Sequence, residues 1–222
     1  MSAATVIYVH GLWVTGGEGL LLRRRLEHDF GMETHPYHYP SVSATMRECV
    51  EGLEALIASL APSRLHLVGH SLGGLVIYRL LERRGELPPG RAVFLGTPAA
   101  GSRVAAAVGR IAWLAPFVGR CVAEELVQPQ ERRWVFAREL GVIAGTEPYG
   151  LGRFFAGFAE EDFDGTVAVR ETQLPGLTAH LTLPVSHMGM LLSARVAHET
   201  GSFLEQGCFD AQSRADSFSR SR

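Results

Sequence analysis

The stretch Gly69-His70-Ser71-Leu72-Gly73 sets a serine between two glycines, directly after the apolar run Leu65-His66-Leu67-Val68 and directly before a helical pattern. This G-x-S-x-G spacing suits a tight strand-to-helix turn whose central residue is strained and whose side chain is exposed. Glycines flank the serine because a Cβ there would strike the neighbouring strand and helix. Such a hydroxyl, at the positive end of a helix, is placed to be a nucleophile. It becomes one only when an imidazole removes its proton and a carboxylate orients that imidazole.

On a scaffold of this kind the chain order is nucleophile, acid, histidine. Aspartate occurs only at Asp29, Asp162, Asp164, Asp210 and Asp216, so Asp162 and Asp164 are the aspartates between Ser71 and the downstream His180, His187 and His198. Asp164 precedes Gly165-Thr166-Val167, and a glycine turn there can aim its carboxylate inward. Asp162 continues the Glu160-Glu161 charge run, which water solvates best. Asp164 is therefore preferred, with Glu171 or Glu147 next in line. His180 alternates with apolar residues as a strand residue would, and His198 lies in the closing helical pattern. His187 follows Leu183-Pro184-Val185-Ser186 in a loop after the last strand and is the expected base. His70 and His10 read as packing and loop-scaffold residues.

A tetrahedral intermediate also needs donors for its oxygen. The backbone N–H of Leu72, one past the serine, and that of Leu12 in the loop His10-Gly11-Leu12-Trp13 are the expected pair, with Gly11 letting the chain turn sharply towards substrate. The expected pocket residues are Gly11, Trp13, Trp113 and Phe117. The last two lie on an apolar segment, 104–118, that reads equally as a lid or as helices packed on the sheet. The stretch 150–158, with Phe154, Phe155 and Phe158, offers another wall.

Positioning these residues takes strands that end where they sit. Val6-Ile7-Tyr8-Val9 stops at His10-Gly11, and Ala92-Val93-Phe94-Leu95 at Gly96-Thr97-Pro98. Gly141-Val142-Ile143-Ala144 stops at Gly145, while 33–39, 65–68 and 179–185 complete the set. Helical patterns alternate with them at 18–30, from a Ser43 cap to Leu60, at 72–84 and at 193–204. The alternation predicts an α/β fold, a mostly parallel sheet of about six strands with helices on both faces. A ligand is expected beyond the carboxyl ends of the strands. The expected organisation is one domain over 1–208, with a lid segment at 99–132 and a disordered tail at 209–222.

Composition narrows the chemistry. Of 222 residues 46% are hydrophobic, which excludes disorder throughout, and a formal net charge of -2 gives no global attraction to nucleic acid or an anionic membrane. All 21 basic residues are arginine, which excludes Schiff-base and Ser-Lys mechanisms. Cys49, Cys121 and Cys208 form neither a disulfide framework nor a zinc motif, and read as free thiols in a reducing compartment. No G-x-G-x-x-G loop follows a strand and no cluster has metal-ligand spacing, so no cofactor and no metal are expected. With no signal peptide visible and no apolar run near the ~20 residues of a membrane span, the expectation is a soluble, cytoplasmic protein. No protein partner can be inferred.

These motifs together resemble the α/β-hydrolase superfamily, and within it the small lipase-like serine esterases, including the group related to the GPI-inositol deacylase domain. The likeness runs from Val6 to about Leu192. It is carried by Val9-His10-Gly11-Leu12, by Gly69 to Gly74, by Gly96-Thr97-Pro98 with Gly101-Ser102, by Asp164-Gly165-Thr166-Val167 and by Ser186-His187. Ala99 stands where relatives commonly have histidine, Phe163 where many have asparagine, and the early antiparallel strands of larger relatives are not found. The resemblance implies Ser71 as nucleophile, Asp164 as acid, His187 as base, and hydrolysis of a small-molecule or lipid-like carboxylic ester. A thioesterase or acyltransferase would use the same triad. A catalytically silent binding module on this fold would be expected to have lost one of the three, and all are present. A serine nucleophile argues against the similar epoxide and haloalkane hydrolases, which use aspartate.

Overall fold

The computed structural model describes residues 3–84, 86–101, 121, 125, 131–148 and 162–210. Among them six strands form one sheet: β1 (Thr5–Val9), β2 (Glu33–Tyr37), β3 (Leu65–His70), β4 (Ala92–Leu95), β5 (Leu140–Gly145) and β6 (Ala179–Leu183). Their spatial order is β2-β1-β3-β4-β5-β6, and every neighbouring pair is parallel. The described helices are α1 (Leu20–Phe30), α2 (Met46–Leu60), α3 (Leu72–Arg83), a short α4 (Gly189–Leu192) and α5 (Ala194–Gln206).

The central strands are continuous apolar runs because both of their faces are covered. Successive strand residues point to opposite sides. Ile7, Val9, Leu67, Phe94 and Val142 therefore pack with Val50, Leu53, Leu75 and Ile77 of α2 and α3. Val6, Tyr8, Val68, Val93 and Ile143 pack with Leu22, Leu26, Val196 and Phe203 of α1 and α5. The chain runs from β1 through α1 to β2 on one side of β1, and from β2 through α2 back to β3 on its other side. The sheet order thus reverses between β1 and β3, and the crevice where ligands bind in such sheets opens above their carboxyl ends.

Several boundaries differ from the sequence reading, each for a local reason. Thr45, not Ser43, caps α2: its hydroxyl accepts from Glu48 N at 3.2 Å, while the Glu48 carboxylate accepts from Thr45 N at 2.8 Å. Ser43 instead closes a turn on the Pro40 carbonyl. β2 ends at Tyr37, because Tyr39 leaves the sheet to stack on His10 with ring centroids 4.2 Å apart. β3 runs two residues past Val68: Gly69 stays in register with Val9 and Phe94, and His70 with Leu95. β6 stops at Leu183, before the loop that carries His187. Phe209, one residue beyond the expected domain boundary, is fully buried against Phe203.

Trp113, Phe117, most of the expected lid and the 150–158 stretch lie outside the described residues. Among the described residues of the 99–132 stretch, Arg132, itself buried, donates to the Ala99 carbonyl at 3.1 Å and to the Glu125 carboxylate at 2.6 Å. Among the described residues no helix is long and apolar enough to cross a membrane.

Candidate active site

Ser71 joins β3 to α3 with φ 54° and ψ −122°, a backbone state that a residue with a Cβ adopts only when its surroundings impose it. Those surroundings are glycines. A Cβ on Gly69 would lie 2.5 Å from Gly74 N, one on Gly73 would run into the Val9 carbonyl, and one on Gly74 into the Thr97 side chain. Helix α3 therefore begins hard against the ends of β1 and β4. Ser71 N donates to the Leu95 carbonyl at 2.9 Å, which fastens the turn to β4. Leu72 is the first residue of α3, so its N–H has no partner within the helix.

Asp164 sits at the mouth of a two-residue-wide hairpin. Phe163 and Ala168 form an antiparallel bridge, Asp164 N donates to the Val167 carbonyl at 3.1 Å, and Gly165 makes the turn at φ 96°. The carboxylate, 1% exposed, accepts through Oδ1 from Thr166 N at 2.9 Å and Val167 N at 2.7 Å. Its Oδ2 lies 2.7 Å from Nδ1 of His187. An oxygen of this kind accepts, so Nδ1 carries the proton and Nε2 is left as the imidazole's open, basic nitrogen. His187 N also donates to the Asp164 carbonyl at 2.9 Å.

Two strand-end glycines make room for this pair. A Cβ on Gly96, where φ is 55°, would lie 3.0 Å from both Asp164 Oδ2 and His187 Nδ1; one on Gly145 would lie 2.8 Å from the Asp164 Cβ. Gly96 directly follows Leu95, the residue that holds Ser71 N. The acid–imidazole pair and Ser71 therefore flank the same strand end.

The loop after β1 lies on the other side of Ser71. A Cβ on Gly11 would come 3.1 Å from the Ser71 Cβ, so a side chain there would crowd the serine. His10 is fully buried, and burial lowers its pKa. Its Nδ1–H donates to the Gly11 carbonyl at 2.7 Å, and its Nε2 accepts from Tyr39 N at 3.3 Å. The Tyr39 hydroxyl in turn donates to the His10 carbonyl at 2.7 Å. Because the peptide is trans, holding the Gly11 carbonyl towards His10 turns the Leu12 N–H the opposite way. Trp13 follows at φ 64° and is 60% exposed.

The other candidates lie elsewhere. Asp162 is exposed. Glu171 is buried, with its carboxylate accepting from Ala168 N at 2.9 Å. Glu147 is bound through its backbone to the Val185 carbonyl. His180 pairs with the Thr172 hydroxyl at 2.8 Å, and His198 is exposed beside Asp210. His70, read from sequence as a packing residue, has its Nε2 3.0 Å from the His187 carbonyl oxygen. That contact and the room made by Gly96 and Gly145 escaped sequence reasoning, although each glycine is visible as a strand terminator. Among the described residues no group of three or more His, Cys, Asp or Glu could hold a metal ion.

A family model described as "Alpha/beta hydrolase family" matches residues 6–202. No curated protein matches the chain. Among solved structures, the mature Bacillus licheniformis lipase BlEst2 is similar at 16% identity with TM-score 0.70, covering 93% of each chain. Phospholipase PlaB from Legionella pneumophila aligns at 16% identity and TM-score 0.65, over 90% of this chain and 57% of its own. The RedJ thioesterase from the prodiginine biosynthetic pathway in Streptomyces coelicolor aligns at 14% identity and TM-score 0.61, over 90% of this chain and 86% of its own. At such identities the likeness is one of fold.

Proposed function

From the premise that the chain belongs to the α/β-hydrolase family, we propose that it is a serine hydrolase cleaving a carboxylic ester through an acyl-enzyme. The observation that carries this reading is the buried Asp164–His187 pair, 2.7 Å apart, packed over the same strand end as a serine held at φ 54°. His187 Nε2 takes the proton as Ser71 Oγ attacks the ester carbonyl. Asp164 keeps the proton on Nδ1 and stabilises the imidazolium as it forms. The Leu72 and Leu12 N–H groups donate to the tetrahedral oxygen. Protonated His187 then gives its proton to the departing alcohol, and water clears the acyl group by the same route. Gly11 and Trp13 border the acyl group; Trp113 and Phe117, expected from sequence to join them, lie outside the described residues.

The narrower resemblance to the GPI-inositol deacylase group rests on motifs and makes a lipid-like ester a member of the substrate set. Cysteines at 49, 121 and 208, with Cys49 Sγ 3.3 Å from Cys121 Sγ and not bonded to it, accord with a reducing, cytoplasmic compartment. The test is hydrolysis of p-nitrophenyl esters from acetate to palmitate, with an acyl thioester series run in parallel. Ester turnover by the parent, lowered ~10³-fold or more in Ser71→Ala and in His187→Ala, is expected. Parent-like turnover in either variant overturns the mechanism. Preference for the thioester series would move the substrate class and leave the residues unchanged.

A further inference from the structure

We propose that His70 is a positioning residue for the base: its Nε2–H holds the backbone carbonyl of His187 and so fastens the base loop to the nucleophile's own strand. The proposal rests on His187 being the base.

Asp164 grips His187 twice, at the backbone N–H (2.9 Å) and at Nδ1 (2.7 Å). Both grips come from one residue, so together they define an axis about which His187 can still swing, carrying Nε2 towards or away from Ser71. A third attachment from another direction removes that freedom. The His187 carbonyl supplies it, lying 3.0 Å from His70 Nε2. A carbonyl only accepts, so Nε2 of His70 carries the proton. The carbonyl has little else to bind: α4 begins two residues on, and Leu191 N, which would reach His187 O in a regular helix, turns to Met188 O instead.

The chemistry of His70 fits a donor rather than a filler. It is 1% exposed, its ring centroid lies 4.7 Å from that of His187, and among the described residues its Nδ1 is buried without a partner. An apolar side chain of similar size would fill the space without stranding that nitrogen. Burial, with a smaller contribution from the titratable groups facing it, His187 and His10, lowers its pKa to about 3. The ring is therefore a neutral, permanent Nε2–H donor. Its neighbour in the chain is Ser71, so the same two-residue unit presents the nucleophile and sets the height of the base. The side chain of His70 touches no substrate.

The experiment compares His70→Leu and His70→Gln with the parent and with His187→Ala in ester turnover. The glutamine amide can place an N–H near the position of Nε2; leucine cannot. A small displacement of a base is expected to cost ~10²-fold in kcat, with KM within about threefold, in His70→Leu, and His70→Gln should recover to within about tenfold of the parent. Parent-like kcat in His70→Leu overturns the proposal. So does equal loss in both variants at equal melting temperature. Parent-like turnover in His187→Ala overturns the functional reading instead, and the proposal with it. Should either variant fail to fold, ring 15N NMR of the parent decides: His70 is expected as the Nε2–H tautomer, unchanged between about pH 5 and pH 8. An Nδ1–H tautomer, or titration in that range, overturns the proposal.

Discussion

Replacing Asp164 by asparagine separates the charge of the acid from its shape. The structure dictates how the amide must sit. Oδ1 accepts from both Thr166 N and Val167 N, so an NH₂ group turned to that side would face two donors, and the asparagine oxygen has to stay there. The NH₂ then faces His187 Nδ1 across the 2.7 Å contact. Nδ1 must become the acceptor, and the ring proton moves to Nε2, the nitrogen required to be empty when Ser71 attacks. The variant folds, because the two backbone donors keep their partner; weakening of charged hydrogen bonds to neutral ones costs about 1–2 kcal/mol of stability. Turnover should fall far more, towards the ~10⁴-fold of a triad acid turned into an amide. The assay is kcat for p-nitrophenyl butyrate, with thermal melts as the folding control and Asp162→Asn alongside. Asp162 is exposed, and its variant should stay within a few-fold of the parent. A severe loss in Asp162→Asn with near-normal Asp164→Asn would refute the reasoning.

Gly96→Ala puts a methyl 3.0 Å from both partners of the acid–imidazole pair at a backbone angle of φ 55°. The left-handed strain alone is about 1–2 kcal/mol, so a melting temperature lower by roughly 4 °C and a kcat lower by more than tenfold are expected; an unchanged kcat would show that the pair is not what Gly96 accommodates. Burial holds the pKa of His66 at about 4 and of His70 at about 3, below the usual 6.5. The unfolded chain therefore takes up these protons first, and stability present above about pH 6.5 is lost as pH falls towards the folded values, by about 2 kcal/mol for each histidine at pH 5. Urea unfolding at pH 7.5 and pH 5 measures this, and a His66→Gln variant should lose its share of the difference; an equal pH dependence in parent and variant would contradict it.

Much of the candidate site was legible because a strand buried on both faces is a short apolar run, several of these runs stop at a glycine, and a ligand is expected where they stop. Ser71 and Leu12 are each readable as residues after such a stop, His187 as a residue of the loop after the last strand, and Gly165 marks Asp164 as the carboxylate that can turn inward. What escaped depends on which strands are neighbours. The contact of His70 with His187 joins the ends of β3 and β6, and Gly96 makes room for Asp164 only because the 162–168 hairpin folds over β4 and β5. No local period records the order β2-β1-β3-β4-β5-β6. Thr45 was a different kind of miss. The pattern Thr45-x-x-Glu48 is a capping box written in the sequence, and it outcompetes Ser43 because it satisfies two helix-end donors at once. Tyr39 leaves the strand pattern for a tertiary reason, its stack on His10.

The central claim is that Ser71 is a nucleophile made reactive by His187. Intact mass spectrometry after treatment with a fluorophosphonate, followed by peptide mapping, tests it most directly. The account predicts one phosphonyl group per chain, on the Ser71 peptide, absent in Ser71→Ala and formed at least ~10²-fold more slowly in His187→Ala. Label on a different residue, or labelling of His187→Ala at the parent's rate, would contradict it.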